Sequence, residues 1–290
     1  MKSRAILRFA FVAVLLCLST IAAYTQAQQE KTVTVFGAKI SYVEAGDPAK
    51  PTVILLHGLG GNSGNWLFTI PALATNYHVI APDQIGFGKS DRLTIKYRVG
   101  TYVDFLDKFM SELKIERASL VGNSMGGWVA AWTAIKYPNR IEKIVLADAA
   151  GIVPANISEA QIYQLNNSTR EEIRANMKLI FATPALQNNE VLVDQFMTAR
   201  VTAGDGGTIN SLIESIKRRE DFLNERLGDI KKPTLIIWGK QDGLLPVADA
   251  YTFNKGIAGS ELLIFEQCGH VPQFEKAADF NKAVLAFLAK

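Results

Sequence analysis

Ser124 has the setting in this chain most suited to covalent chemistry. It stands in Gly122-Asn123-Ser124-Met125-Gly126-Gly127, after the apolar run 118–121 and before a helical pattern at 128–137. A strand, a tight turn carrying one hydroxyl and then a helix is the context in which a G-x-S-x-G match denotes an exposed nucleophile. Small residues at 122 and 126 let strand and helix approach without a Cβ clash. The serine itself is expected to occupy a strained turn.

Serine is a weak nucleophile at its own pKa, so it needs a base within hydrogen-bond reach and a third group to orient that base. The chain has three histidines. His57 ends one buried run and His78 lies inside another, and both read as structural. His270, in Cys268-Gly269-His270-Val271-Pro272, falls between the last strand and the last helix, where an open α/β sheet presents side chains to ligands. It is the expected base. Asp242, in Trp238-Gly239-Lys240-Gln241-Asp242-Gly243, follows a strongly apolar run and is the favoured acid, placed to hold the imidazole tautomer and stabilise the imidazolium. Asp148 ends the run 144–147 and competes for that role. Either choice keeps the order Ser, acid, His along the chain.

Acyl transfer also needs donors aimed at the developing oxyanion. The N–H of Met125 follows the nucleophile at a helix start, where the dipole favours negative charge. The second is expected from His57-Gly58-Leu59-Gly60-Gly61, most simply the N–H of Leu59. Such chemistry needs neither a metal nor an organic cofactor.

The elements that must carry these residues read as an α/β fold. Short apolar runs at 53–56, 79–81, 119–121, 144–147, 234–238 and 262–265 lack polar alternation, as strands buried on both faces of a mainly parallel sheet do. Helical patterns at 99–113, 128–137, 247–255 and 274–289 lie between or after them. Segments 32–36 and 40–44 alternate more and bracket Gly37, which predicts an antiparallel edge hairpin. Between 151 and 228 no buried-strand run occurs, and amphipathic patterns cluster at 171–181, 190–200 and 209–223. That stretch reads as a helical lid inserted into a sheet domain made of 28–150 and 229–290.

Lys2, Arg4 and Arg8 precede the apolar run 9–18, and Thr25-Gln26-Ala27 offers a small-residue cleavage site. Residues 1–27 therefore read as a signal peptide, with the mature chain exported to the periplasm or secreted. The run is short of the roughly 20 residues that span a bilayer, so no stable membrane span is expected once the signal is cleaved. Leu15 and Leu16 before Cys17 argue against lipid attachment. Three of the 31 basic residues belong to this leader, leaving 28 against 28 acidic ones. The balance gives no charge basis for binding nucleic acid or anionic lipid. Cys268 alone remains beyond the leader, so export implies no disulfide.

Taken together, HGLGG at 57–61, DQIGFGKSD at 83–91, GNSMGG at 122–127, WGKQDGLLP at 238–246 and CGHVPQFE at 268–275 make the chain resemble the α/β-hydrolase superfamily over nearly all of 28–290. The resemblance implies a structural role for 83–91 and makes 151–228 the cap that selects substrate. The expected activity is an exported carboxylic-ester hydrolase acting on a small, apolar ester through an acyl-enzyme. Trp66, Trp128, Phe181 and Phe196 are candidates to line its pocket, although each is individually commoner as core. The rival is a carbon–carbon bond hydrolase of vinylogous diketones. Those enzymes resemble this chain at GNSMGG and carry a lid arginine that Arg200 would match, but their loop after HG reads with Ser or Gly and a proline, where this chain has Leu59-Gly60-Gly61. Serine at 124 disfavours a haloalkane dehalogenase or epoxide hydrolase, which resemblance would give an aspartate there. A cofactor-free peroxidase would use the same three residues. The complete Ser, Asp and His set disfavours a non-catalytic binding module.

Overall fold

The computed structural model describes residues 28–153 and 165–290. The expected leader, 1–27, and residues 154–164 of the expected lid lie outside them. Eight strands form one sheet: β1 (Gln29–Val35), β2 (Ala38–Ala45), β3 (Thr52–Leu56), β4 (His78–Pro82), β5 (Ala118–Asn123), β6 (Ile141–Ala147), β7 (Thr234–Gly239) and β8 (Glu261–Phe265). Their order is β1-β2-β4-β3-β5-β6-β7-β8. The first two strands form a hairpin with Val35 opposite Ala38, and β2 runs antiparallel to β4. Phe36 and Gly37 make the two-residue turn with φ of 49° and 82°, the backbone that a right-twisted hairpin selects. All other pairings are parallel.

Alternate residues of the central strands enter different cores, which is why their runs are apolar throughout. Ile54 and Leu56, Ile144 and Leu146, and Ile236 and Trp238 point to one face. Val53 and Leu55, Val145 and Ala147, and Leu235 and Ile237 point to the other. The first face is covered by α2 (Val99–Glu112), α3 (Met125–Lys136) and α8 (Val247–Gly256), through Val103, Leu106, Phe109, Val129 and Phe253. The second is covered by α1 (Ile70–Ala74) and α10 (Ala277–Leu288), through Ile70, Leu73, Phe280 and Val284. Each such side chain removed from water contributes about 1.5–3 kcal/mol.

Between β6 and β7 the described chain forms α4 (Arg170–Ile180), α5 (Pro184–Gln187), α6 (Glu190–Ala203) and α7 (Gly206–Lys217). A reciprocal Thr169–Glu172 capping box starts α4, Asn189 accepts from two N–H groups at the start of α6, and Gly204 at φ 62° ends it. Ile173, Met177, Phe181 and Val193 give this layer its own small core.

Two helices differ from the sequence expectation. The pattern at 209–223 stops at Lys217, because Arg219 and Asp221 turn at φ 56° and 61° and the Asp221 carbonyl accepts from the indoles of Trp128 and Trp132. The pattern at 274–289 is divided into α9 (Pro272–Glu275) and α10, with Lys276 leaving helical geometry between them. No helix among the described residues is long and apolar enough to cross a membrane.

Candidate active site

Ser124 sits between β5 and α3 with φ 56° and ψ −120°, a conformation that a residue with a Cβ rarely adopts. Its N–H donates to Ala147 O at 3.0 Å, and its own carbonyl accepts from Gly127, Trp128 and Ala150, so the surrounding backbone over-determines the strained turn. The neighbouring glycines are required by space. A Cβ at Gly122 would lie 2.3 Å from Gly126 O, and one at Gly126 would lie 2.0 Å from Leu56 O.

Asp242 and His270 come from the ends of β7 and β8. His270 Nδ1 lies 2.7 Å from Asp242 Oδ2, and both side chains are buried. An ionised carboxylate only accepts, so Nδ1–H is the donor and Nε2 is left as the ring's acceptor. Asp242 Oδ1 accepts from the N–H groups of Leu244 and Leu245 at 2.8 and 3.0 Å. Those contacts fix the carboxylate on the histidine side of its loop. Among the described residues no hydrogen bond joins Ser124 Oγ to His270, a contact commonly loose before substrate binds. The two are instead coupled through Asn123, whose side-chain amide donates to Ala147 O at 3.1 Å and to His270 O at 3.0 Å.

The loop after β3 passes over Ser124, and a Cβ at Gly58 would stand 3.6 Å from Ser124 Oγ. The carbonyl of Gly58 is turned back by Gly61 N–H at 3.1 Å and His57 Nδ1 at 2.7 Å. The other ring nitrogen of His57 accepts from Gln84 N–H at 2.9 Å, so this imidazole is neutral, and burial lowers its pKa further. His57 thus shapes the loop and has no free nitrogen to serve as a base. His78 is bound at both nitrogens, to Glu44 at 2.7 Å and Thr52 at 3.2 Å. Among the described residues the N–H groups of Leu59 and Met125 meet no acceptor, which is the state an oxyanion site requires. Asp83 braces the same loop by accepting from Ser63 and Lys89 N–H groups at 2.7 and 2.8 Å.

The helical segment between β6 and β7 is fastened to the loops that carry His270 and Asp242. His270 N–H donates to Ile180 O at 2.7 Å and Gly243 N–H to Leu179 O at 2.9 Å. Glu275 accepts from Gly269, Ala182 and Thr183, joining the histidine loop to the end of α4. Neither Asn123 nor Glu275 stood out in the sequence. The position of Asn123 beside the nucleophile was a signal for the first; nothing local distinguished the second.

The pocket candidates separate. Trp66 is fully buried against Phe280 in the core under α10 and offers a ligand no surface, because its 3-10 turn faces the sheet. Trp128 packs tilted against Phe222, ring centroids 4.8 Å apart, and donates to Asp221 O at 2.6 Å, pinning the segment before β7 to the core. Phe181 belongs to the lid core and touches Phe196 and Phe274, while Phe196 is partly exposed. Arg200 reaches the loop after β3, within 3.5 Å of where a Gly60 Cβ would be. Its guanidinium is occupied by Asp205 and by Asn166 at 2.7 Å. Asp148 lies beside the Asp242–His270 pair with its carboxyl buried, so both aspartates considered as the acid reach the same place.

Comparison with known proteins agrees with this architecture. Residues 51–209 and 212–277 match the family model described as the alpha/beta hydrolase fold. The chain is 33% identical over 252 residues to the dihydrolipoyllysine-residue acetyltransferase component of the acetoin cleaving system of Cupriavidus necator, covering 85% of this chain and 66% of that protein. It is 31% identical over 271 residues to the 2-hydroxy-6-oxo-6-phenylhexa-2,4-dienoate hydrolase of Comamonas testosteroni, covering 86% and 91%. Among solved structures, a meta-cleavage product hydrolase from Pseudomonas fluorescens superposes with a TM-score of 0.82 at 30% identity, covering 89% of this chain and 97% of that one. A bacterial membrane phospholipase A superposes with a TM-score of 0.80 at 29% identity, covering 99% and 94%. The chain belongs to the α/β-hydrolase fold family and is a hydrolase of that fold.

Proposed function

We propose that this hydrolase breaks a bond to a carbonyl carbon by attack of Ser124, with His270 as base and Asp242 as its partner. The oxygen that becomes negative is held by the N–H groups of Leu59 and Met125, and His270 then returns the proton to the leaving group. Water attacks the resulting acyl-serine in the second half, activated by the same imidazole. The observation that carries this reading is the buried 2.7 Å contact between His270 Nδ1 and Asp242, formed beside a serine held at positive φ.

The reactions named for the relatives support a carbon–carbon bond as the one broken, in a vinylogous diketone of the meta-cleavage type. A carboxylic ester is the second reading, and three considerations favour it. Arg200, the lid cation that a diketone acid would engage, is committed to Asp205 and Asn166. The similarity to a phospholipase A points the same way. Export from the cytoplasm, suggested by residues 1–27, suits extracellular ester hydrolysis better than an intracellular ring-fission route.

The deciding assay sets p-nitrophenyl esters of increasing acyl length against one aromatic ring-fission diketone, on wild type and Ser124→Ala. Turnover of the diketone alone selects the carbon–carbon reading, and turnover of the esters alone selects the ester reading. Fluorophosphonate labelling that survives in Ser124→Ala removes Ser124 from the mechanism.

A further inference from the structure

Asp148 is a second buried carboxyl within the site that the mechanism above leaves without a task. Its residue is fully buried, and reactive atoms of Asp148, Asp242 and His270 all lie within 4.8 Å of one another. Its backbone is held at φ 42°, a left-handed turn that aspartate tolerates, while its N–H donates to Ile237 O at 2.9 Å, so the end of β6 fixes where this side chain is carried. Oδ1 accepts from Gly239 N–H at 2.8 Å; Oδ2 is buried and has no partner.

An ionised carboxylate in that position would leave one oxygen unsatisfied and would face a second negative charge at close range. Asp242 receives two backbone N–H groups and the imidazole N–H, whereas Asp148 receives one N–H group. Of the two, the better solvated by donors keeps the charge.

We infer that Asp148 is carried as a neutral carboxylic acid whose Oδ2–H donates to the Asp242 carboxylate, making it a positioning residue for the Asp242–His270 pair. Burial first, then the neighbouring Asp242 charge, hold its pKa well above the usual carboxylate range. The groups that face it are Asp242, His270, Glu275 and Cys268. The Glu275 charge adds to the shift, and the thiol is itself pushed up by burial and stays neutral. The proton fills the open oxygen and stops the Asp242 carboxylate from rotating away from His270.

This rests on the serine-hydrolase reading only in its kinetic consequence. Asp148→Ala removes the donor and is expected to lower kcat about tenfold, the scale of one hydrogen bond to a charged group, with the acid limb of the kcat/KM profile moved to higher pH. Asp148→Asn supplies the same acceptor and donor without a titrating proton and is expected to restore turnover to within about threefold, with the limb back in place. Thermal melting tests the proton independently of catalysis. A group with raised folded pKa stabilises most below its unfolded value of 3.8, and that contribution is lost as pH rises toward the folded value. Asp148→Asn should therefore gain Tm on wild type as pH rises above about 4. An Asn variant as inactive as the Ala variant, or one whose Tm falls behind wild type across that range, overturns the assignment. Absence of any turnover with the melting gain intact would instead overturn the hydrolase reading and leave the proton on Asp148.

Discussion

The side-chain amide of Asn123 donates at 3.0 Å to the carbonyl oxygen of His270, a residue 147 positions later in the chain. The strand that ends at Ser124 and the loop that carries His270 are thus joined through the residue before Ser124 and the backbone of His270 itself. Asn123→Ala removes this tie and the companion bond to Ala147 O. It should cost about 1–3 kcal/mol in stability and lower kcat more than it raises KM. Denaturant melts and steady-state kinetics on one preparation would check both, and wild-type kcat in a destabilised variant would show that the histidine loop holds its place without Asn123.

Ser124 stores backbone strain that a glycine would release. Ser124→Gly should abolish fluorophosphonate labelling and raise stability by about 1 kcal/mol. A lower Tm in that variant would mean that the elbow is not strained at this residue.

Two glycines predict opposite outcomes for the same substitution. At Gly126 a Cβ would meet Leu56 O at 2.0 Å and His57 O at 2.8 Å, both backbone atoms that cannot yield. Gly126→Ala should cost more than about 3 kcal/mol or prevent folding. At Gly207, inside α7, a Cβ would meet nothing within 4 Å, and alanine should stabilise by about 0.5–1 kcal/mol. Equal melting temperatures for the pair would refute the packing argument.

His57 gives the fold an acid sensitivity. Burial holds its folded pKa below the ordinary 6.5, so the unfolded chain takes up a proton that the native state refuses. Stability is complete above about pH 6.5 and falls as pH drops beneath it, by up to about 1.4 kcal/mol for each pH unit. Unfolding midpoints of wild type and His57→Gln measured through that range should diverge, with the shallower slope in the variant.

Arg200 and Asp205 make a lid pair whose carboxylate is almost fully buried. Arg200→Ala leaves that charge without its partner and should destabilise the protein by about 2 kcal/mol, discounted for the partly exposed guanidinium. If Arg200 holds substrate, KM for the diketone rises as well; an unchanged KM limits it to holding the lid.

Much of this site was legible from local sequence. The G-N-S-M-G-G turn places Ser124 at positive φ because only glycines fit around it, and the unbroken apolar runs specify strands buried on both faces because alternate residues such as Ile54 and Val53 enter different cores. The loops carrying Asp242 and His270 follow from where those runs end. Side-chain partners could not be read in this way. Whether Trp66 lines a pocket or a core, whether Arg200 is free or paired, and how Glu275 ties the histidine loop to the end of α4 depend on segments far apart in the chain. Asp148 and Asp242 looked like alternatives in the sequence because each ends a strand. Parallel β6 and β7 lie side by side in the sheet, so their ends deliver both carboxyls to one buried point, and only there does proximity decide which of them carries the charge.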